Sequence, residues 1–172
     1  MTETIRDIDA AEAQARIGEL AAILVDAVAH GASVNFMAGF TLEEAAAFWH
    51  GQIPGLADGS RKLLVAADGD RLVGTVVLTL APQPNQQHRA DIGKMLVLSQ
   101  ARRRGLGRRL LIAVEDLARA HGRTLLMLDT HTGSAGEALY RSSGWTEYGV
   151  VPDHALTPDG TPAPTTFFYK RV

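Results

Sequence analysis

The chain has 172 residues, 46 % of them apolar, and a formal net charge of −2. That suits one folded domain with a substantial core, and a single domain over 1–172 is expected. Near-neutral charge leaves no whole-molecule field for nucleic acid or an anionic membrane, and the lack of cysteine excludes disulfides, Cys-type zinc sites and thiol catalysis. A reducing compartment, the cytoplasm, fits that composition. Met1-Thr-Glu-Thr-Ile-Arg6 lacks the basic-then-apolar layout of a leader, and no apolar run reaches the about 18 residues of a membrane span.

Residues 3–8 read as a short edge strand. Asp9 with Glu12 is a capping-box variant, and Ile17, Leu20, Leu24 and Val28 recur at helical spacing, so 10–29 reads as one amphipathic helix ended by Gly31. A loop from Ala32 to Phe40 leads to Thr41-Leu-Glu-Glu44, a second capping box, and a helix over about 42–51 closed by Pro54, Gly55 and Gly59. Asn35, Phe36 and Met37 are core packing or pocket lining, with packing favoured. Strands follow at 62–67, 71–80 and 89–98, joined by Asp68-Gly69-Asp70 and a polar loop, as an antiparallel meander.

Next comes Val97-Leu-Ser-Gln-Ala-Arg-Arg-Arg-Gly-Leu-Gly-Arg-Arg-Leu-Leu111, with five arginines in eight residues and two glycines. It joins a strand to a helix over about 107–120. Unpaired N–H groups and the positive dipole end of a helix favour an anion there, and glycine allows close backbone approach. Charge runs are usually solvated faces. Here the interleaved glycines favour anion binding, and a diphosphate would explain Arg108 and Arg109 at a helix end that disfavours cations. The remaining elements are a strand at 124–128, a turn at 129–133, a helix from Ser134 to Ser142, a strand at 145–151, a proline-rich loop at 152–164 and a final strand at 165–171. The strand–helix–strand unit over 90–130 implies a parallel crossover beside the meander. The expected fold is α/β, a mixed sheet with helices on both faces.

A P-loop needs Gly-Lys-Ser/Thr and a dinucleotide fingerprint needs a third glycine, where Leu110 stands. Arg102-x-x-Gly105-x-Gly107 instead resembles the acetyl-coenzyme A loop of the GCN5-related N-acetyltransferase (GNAT) superfamily. Met95-Leu-Val97 before it, Asp129 after the next strand, and Ala138-Leu-Tyr140-Arg-Ser-Ser-Gly144-Trp145 extend the likeness over about 62–151. His88-Arg-Ala-Asp91, Leu128-Asp-Thr130 and the ending 152–160 are similar to the tabtoxin-resistance type of small-molecule acetyltransferase. Arg103 departs from the glycine many members have.

The resemblance implies an acyl-CoA N-acyltransferase fold and acetyl-CoA as co-substrate, with no metal. It implies that backbone groups of Arg102, Arg103, Arg104, Gly105, Leu106, Gly107 and Arg108 hold the pyrophosphate. Met95, Leu96 and Val97 would line the pantetheine arm and the acetyl carbonyl. Tyr140 would protonate the leaving thiolate. Asp91 and Asp129, and less so His131, are candidate bases, since an alkylamine with pKa near 10 is almost wholly protonated at neutral pH. Their plainer readings are a solvent-facing strand residue, a turn residue and a loop histidine.

The expected reaction is acetyl transfer to a primary amine of a small molecule, such as an amino-acid-like toxin or antibiotic, by direct attack in a ternary complex. Trp49, Phe36 and the 152–164 loop suggest a confined pocket. A protein amine acceptor and a non-catalytic acyl-CoA sensor are the alternatives. No nucleic-acid or membrane partner is expected. A homodimer through an exposed final strand is an option, as family members are often dimers.

Overall fold

Residues 3–172 are described in the computed structural model; Met1 and Thr2, the start of the stretch read for a leader, lie outside the described residues. The elements run β1 (Thr4–Ile8), α1 (Ala10–Ala15), α2 (Ile17–Ala29), α3 (Leu42–His50), α4 (Ile53–Ala57), β2 (Arg61–Asp68), β3 (Arg71–Leu80), β4 (Arg89–Val97), α5 (Leu106–Ala120), β5 (Leu125–His131), α6 (Ala135–Ser142), β6 (Thr146–Leu156) and β7 (Pro162–Arg171). The seven strands form one sheet in the order β1-β2-β3-β4-β5-β7-β6. β1 to β4 are an antiparallel meander, and α5 carries the chain across to β5, which runs parallel to β4.

Val73 to Leu78 are buried at every position, so both faces of β3 are covered. Leu110 of α5 lies against Gly74 of β3, and α2 also packs on β3 and β4. Apolar residues on α2 (Leu20, Ile23, Leu24) and α5 (Leu106, Leu110, Leu111, Val114) are almost fully buried, as their helical spacing requires. Glu115 enters this core because Lys170 meets both its oxygens at 2.9 and 2.8 Å and the Trp145 indole N–H donates to it at 3.1 Å. The charge is compensated where an isolated carboxylate would not be tolerated. Among the described residues no helix is long and apolar enough to cross a membrane.

Several boundaries differ from the sequence reading. The 10–29 helix is broken at Arg16 (φ −110°, ψ 18°), which caps α1 and opens α2. The apolar period runs through the break and could not show it. Pro54 and Gly55 do not end structure but lie inside the short α4, where proline at the start of a helix lacks only an N–H that would go unused. β5 runs on through Asp129 to His131, because β7 pairs with it along that whole length. Most of the expected 152–164 loop is strand, and only residues 157–161 turn. The prolines fall where no ladder donor is needed. Pro152 lies within the register shift between Val151 and Ala155, with Asp153 at φ 51°, and Pro162 opens β7. The last strand is not the exposed edge expected of it: β7 lies between β5 and β6, and the edges of the sheet are β1 and β6.

Candidate active site

β4 is bent by a bulge. Thr75 is paired with Leu96 and Val77 with Gly93, so β4 carries an extra residue between them. Lys94 takes the left-handed conformation there, at φ 47°, and the buried Thr75 hydroxyl holds its carbonyl at 2.9 Å. Beyond the bulge the sheet opens. β4 and β5 pair only over Arg89–Asp91 and Leu125–Met127, so the later part of β4 has no partner on that side. The N–H of Leu98 bonds Val73 at 2.9 Å, and strand alternation turns that of Val97 toward the opening. A cleft of about 280 Å³ fills it, lined by Met95, Leu96, Val97, Arg102 and the α6 start at Ser134–Gly136. An unpaired strand edge beside such a cleft suits the extended, amide-bearing pantetheine arm of coenzyme A.

The arginine loop closes one end of this cleft. Gly105, at φ 78°, is the N-cap of α5 and offers no side-chain cap, so the first N–H groups of the helix stay available to an anion. Gly107 serves a different need: a β-carbon there would meet Leu139 at 3.3 Å, so its absence lets α6 pack close to α5. Arg103 holds φ 62° without being glycine. The arginines divide. Arg109 pairs with Glu3 at 3.2 Å, and Arg104 lies 3.8 Å from Glu3 and 3.9 Å from Asp68. Arg109 therefore does not need a diphosphate to explain it, which corrects the sequence reading. Arg102 donates to the Val97 carbonyl at 3.0 Å, and Arg108 to the Ser142 hydroxyl at 2.9 Å. Arg108 keeps its charge unpaired, and Arg103 has no side-chain partner among the described residues. Asp26 of α2 accepts from both the N–H and the hydroxyl of Ser99 at 2.7 Å, fixing α2 beside the loop.

Tyr140 stands on α6, whose Ser134 cap accepts from the Glu137 N–H at 3.1 Å. Its ring is buried between Trp145 and Phe168, with centroids 6.0 Å from each, and its edge lies beside Gly136 of the cleft wall. Burial, helped by the charge of Asp129, pushes its phenol well above the ordinary range, so it stays protonated. The hydroxyl has no partner among the described residues.

Asp91 and Asp129 share one face of the sheet, since Asp91 is level with Met127 and Asp129 lies two residues further along β5. Asp129 is exposed and Asp91 half-buried. Burial raises the Asp91 pKa; Arg89, 3.5 Å away, opposes the rise and Asp129 adds to it. His131 follows Asp129 on the same face and lines a larger cavity of about 740 Å³, shared with Phe40 and the β6–β7 turn. Ala38 donates to the Pro158 carbonyl at 2.7 Å, joining the α2–α3 loop to that turn. A neighbouring cavity of about 640 Å³ is walled by Phe36, Phe40 and Phe48. Phe36 stacks on Phe40 at 4.1 Å, so it both packs and lines. Trp49, 1 % exposed, is core and lines neither cavity.

Met95, Leu96, Val97 and Arg102 therefore line one cleft with Tyr140 beside its wall, while Asp91 and Asp129 lie together on one sheet face outside that lining. Two residues beside them carried no sequence signal. Lys94 stands at the bulge, with its side chain over the rings of Phe36 and Phe48. Tyr148 of β6 feels Asp129 and Asp91 across the sheet, and burial raises its pKa above the usual value. Both depend on pairings between distant segments.

The chain is similar to several known proteins. It is 34 % identical over 104 residues to an IAA acetyltransferase of Azospirillum brasilense, a match spanning 60 % of this chain and 66 % of that relative, just under two thirds of its length. The ribosomal-protein-alanine N-acetyltransferase of Brucella melitensis is 26 % identical, covers 98 % of this chain and 99 % of its own, and superposes with a TM-score of 0.79. YncA from Salmonella typhimurium, solved with its cofactor acetyl-CoA, shares the fold at 20 % identity, with 99 % and 94 % covered and a TM-score of 0.79. The acetyltransferase (GNAT) family model matches residues 20–145. That match takes in the bulged strand, the arginine loop and Tyr140, and the chain belongs to this acetyltransferase (GNAT) family.

Proposed function

We propose that this chain acetylates a primary amine of a small molecule by direct attack within a ternary complex. The observation that carries the reading is the bridge from Ala38 to Pro158, which joins loop and hairpin beside the cavities next to the cleft. A cavity closed on the side of that bridge suits a small acceptor better than an extended peptide.

Acetyl-CoA, when bound, supplies the electrophilic thioester carbonyl. The N–H groups opening α5, with Arg103 and Arg108, would hold the pyrophosphate, and the open edge of β4 at Met95–Val97 would pair the pantetheine amides. The Val97 N–H would polarise the carbonyl. Asp91 suits the role of base. Its raised pKa brings it nearer the amine it must deprotonate, while the exposed Asp129 attracts and orients the incoming ammonium. Tyr140, kept protonated, donates to the departing sulfur. The likeness to tabtoxin-resistance enzymes adds amino-acid-like toxins and antibiotics to the candidate acceptors.

The Brucella neighbour's name states a protein acceptor, which gives the second reading its support. A thiol-release screen with acetyl-CoA against amines, amino acids, antibiotics and alanine-terminated peptides separates them. Turnover of small amines with peptides inert is expected. Turnover of peptides alone would replace this reading with the second. Tight CoA binding with no turnover would make the chain a sensor.

A further inference from the structure

The bulge in β4 places a cation where none of the roles above uses one. Lys94 precedes the three residues that line the donor cleft, and its side chain lies over two of the rings that wall the aromatic cavity. Its Nζ lies 5.2 Å from the ring centre of Phe48 and 5.8 Å from that of Phe36, two walls of that cavity. Among the described residues no carboxylate comes within ion-pair distance of it and no oxygen accepts from it. The one acidic side chain lining the cavity, Glu44, is occupied by the Thr41 N–H and hydroxyl at 2.8 and 2.9 Å. Ring faces stabilise an ammonium only in part. Burial lowers the Lys94 pKa, and the charge of Asp129 resists the change.

An ammonium beside the cavity's aromatic wall, with no counter-ion among the described residues, disfavours a purely cationic acceptor there, since like charges repel strongly where water is scarce. The acidic pair Asp91 and Asp129 attracts an ammonium on the adjoining face of the sheet. Cation on one side and acids on the other match a molecule that carries both charges. We propose that Lys94 binds a carboxylate or similar oxyanion of the acceptor, so that the acceptor is an amino acid or amino-acid-like compound whose amine is presented to Asp91 and Asp129. The inference rests on the small-molecule reading and narrows its substrate class.

The test compares amino acids with their own carboxamides, which keep the amine and lose the negative charge. Wild-type enzyme should favour the acids in kcat/KM by roughly 10- to 100-fold, the usual worth of a charged hydrogen bond. Lys94→Gln should bring that ratio toward one, chiefly through KM of the acids, and Lys94→Arg should restore much of it. CoA affinity and the melting temperature, measured on each variant, show that the variant is folded with its donor cleft intact. If Lys94→Gln fails to fold, the wild-type ratio and Lys94→Arg still decide. Wild-type turnover with no preference for the acids, or a preference that survives Lys94→Gln, overturns the carboxylate site and leaves the N-acetyltransferase reading standing. No turnover of any amine overturns that reading and this site together.

Discussion

Gly74 of β3 gives the sharpest link between packing and the donor cleft. It pairs with Val97 across the bulged ladder. A β-carbon added there would lie 2.9 Å from the Leu96 carbonyl oxygen, 3.1 Å from Leu110 Cδ1 and 3.4 Å from Ala66 Cβ. The first contact is with backbone, which cannot rotate away, and the second is with α5, so β4 must move outward by a few tenths of an ångström. Overpacking of this kind costs about 1–3 kcal/mol. In a domain of this size that lowers the melting temperature by about 2–12 °C. The displaced segment is the strand edge assigned to pantetheine, and misaligning one hydrogen bond there, worth about 1 kcal/mol, should raise KM for acetyl-CoA several-fold. Gly74→Ala is read by thermal denaturation and by steady-state kinetics at saturating amine. Gly18→Ala is the control: Gly18 is exposed on α2 with nothing within 4 Å, so its melting temperature should hold or rise slightly. A Gly74→Ala protein that melts within a degree of wild type would refute the packing argument. One that melts lower with unchanged KM would remove the β4 edge from the donor site.

Two further outcomes follow from the polar groups. Tyr140→Phe should lower kcat by roughly 10²-fold, the low end for a general acid. Binding of CoA by calorimetry and the melting temperature should change little, because the hydroxyl has no protein partner to lose; unchanged turnover would remove Tyr140 from proton transfer. The negative charge of Asp129 opposes ionisation of Asp91, so Asp129→Asn should let Asp91 ionise at lower pH. The acid limb of the kcat/KM profile should then move to lower pH, even as the rate falls. A limb that stays put or moves upward would show that Asp91 is not the group it reports.

The parts of the fold that read directly from the residues are those set by local rules. The Thr41–Glu44 capping box forms both of its reciprocal bonds, because its spacing is a property of one helical turn. Gly105 opens α5 at the glycine-containing strand-to-helix turn that the residues implied, and β4 and β5 run parallel because a helix carries the chain across. The misread turns near 129 and 152–164 share one cause. Proline and aspartate near 129 and 152–164 are turn formers by local preference, yet β5, β6 and β7 extend through them since each has a partner strand from a distant segment.

The amino-acid sequence by itself determined the donor half of this protein: a strand, a glycine-containing loop, a helix and the later tyrosine, all contiguous or at fixed spacing. The arrangement of the proposed acceptor half was decided by tertiary structure. The bulge that carries Lys94, the aromatic walls beside it, the bridge from Ala38 to Pro158 and the meeting of Asp91 with Asp129 each depend on segments far apart in the chain. Such contacts leave no periodic or spaced signal, because what holds them is the register between strands and not the order of neighbouring residues.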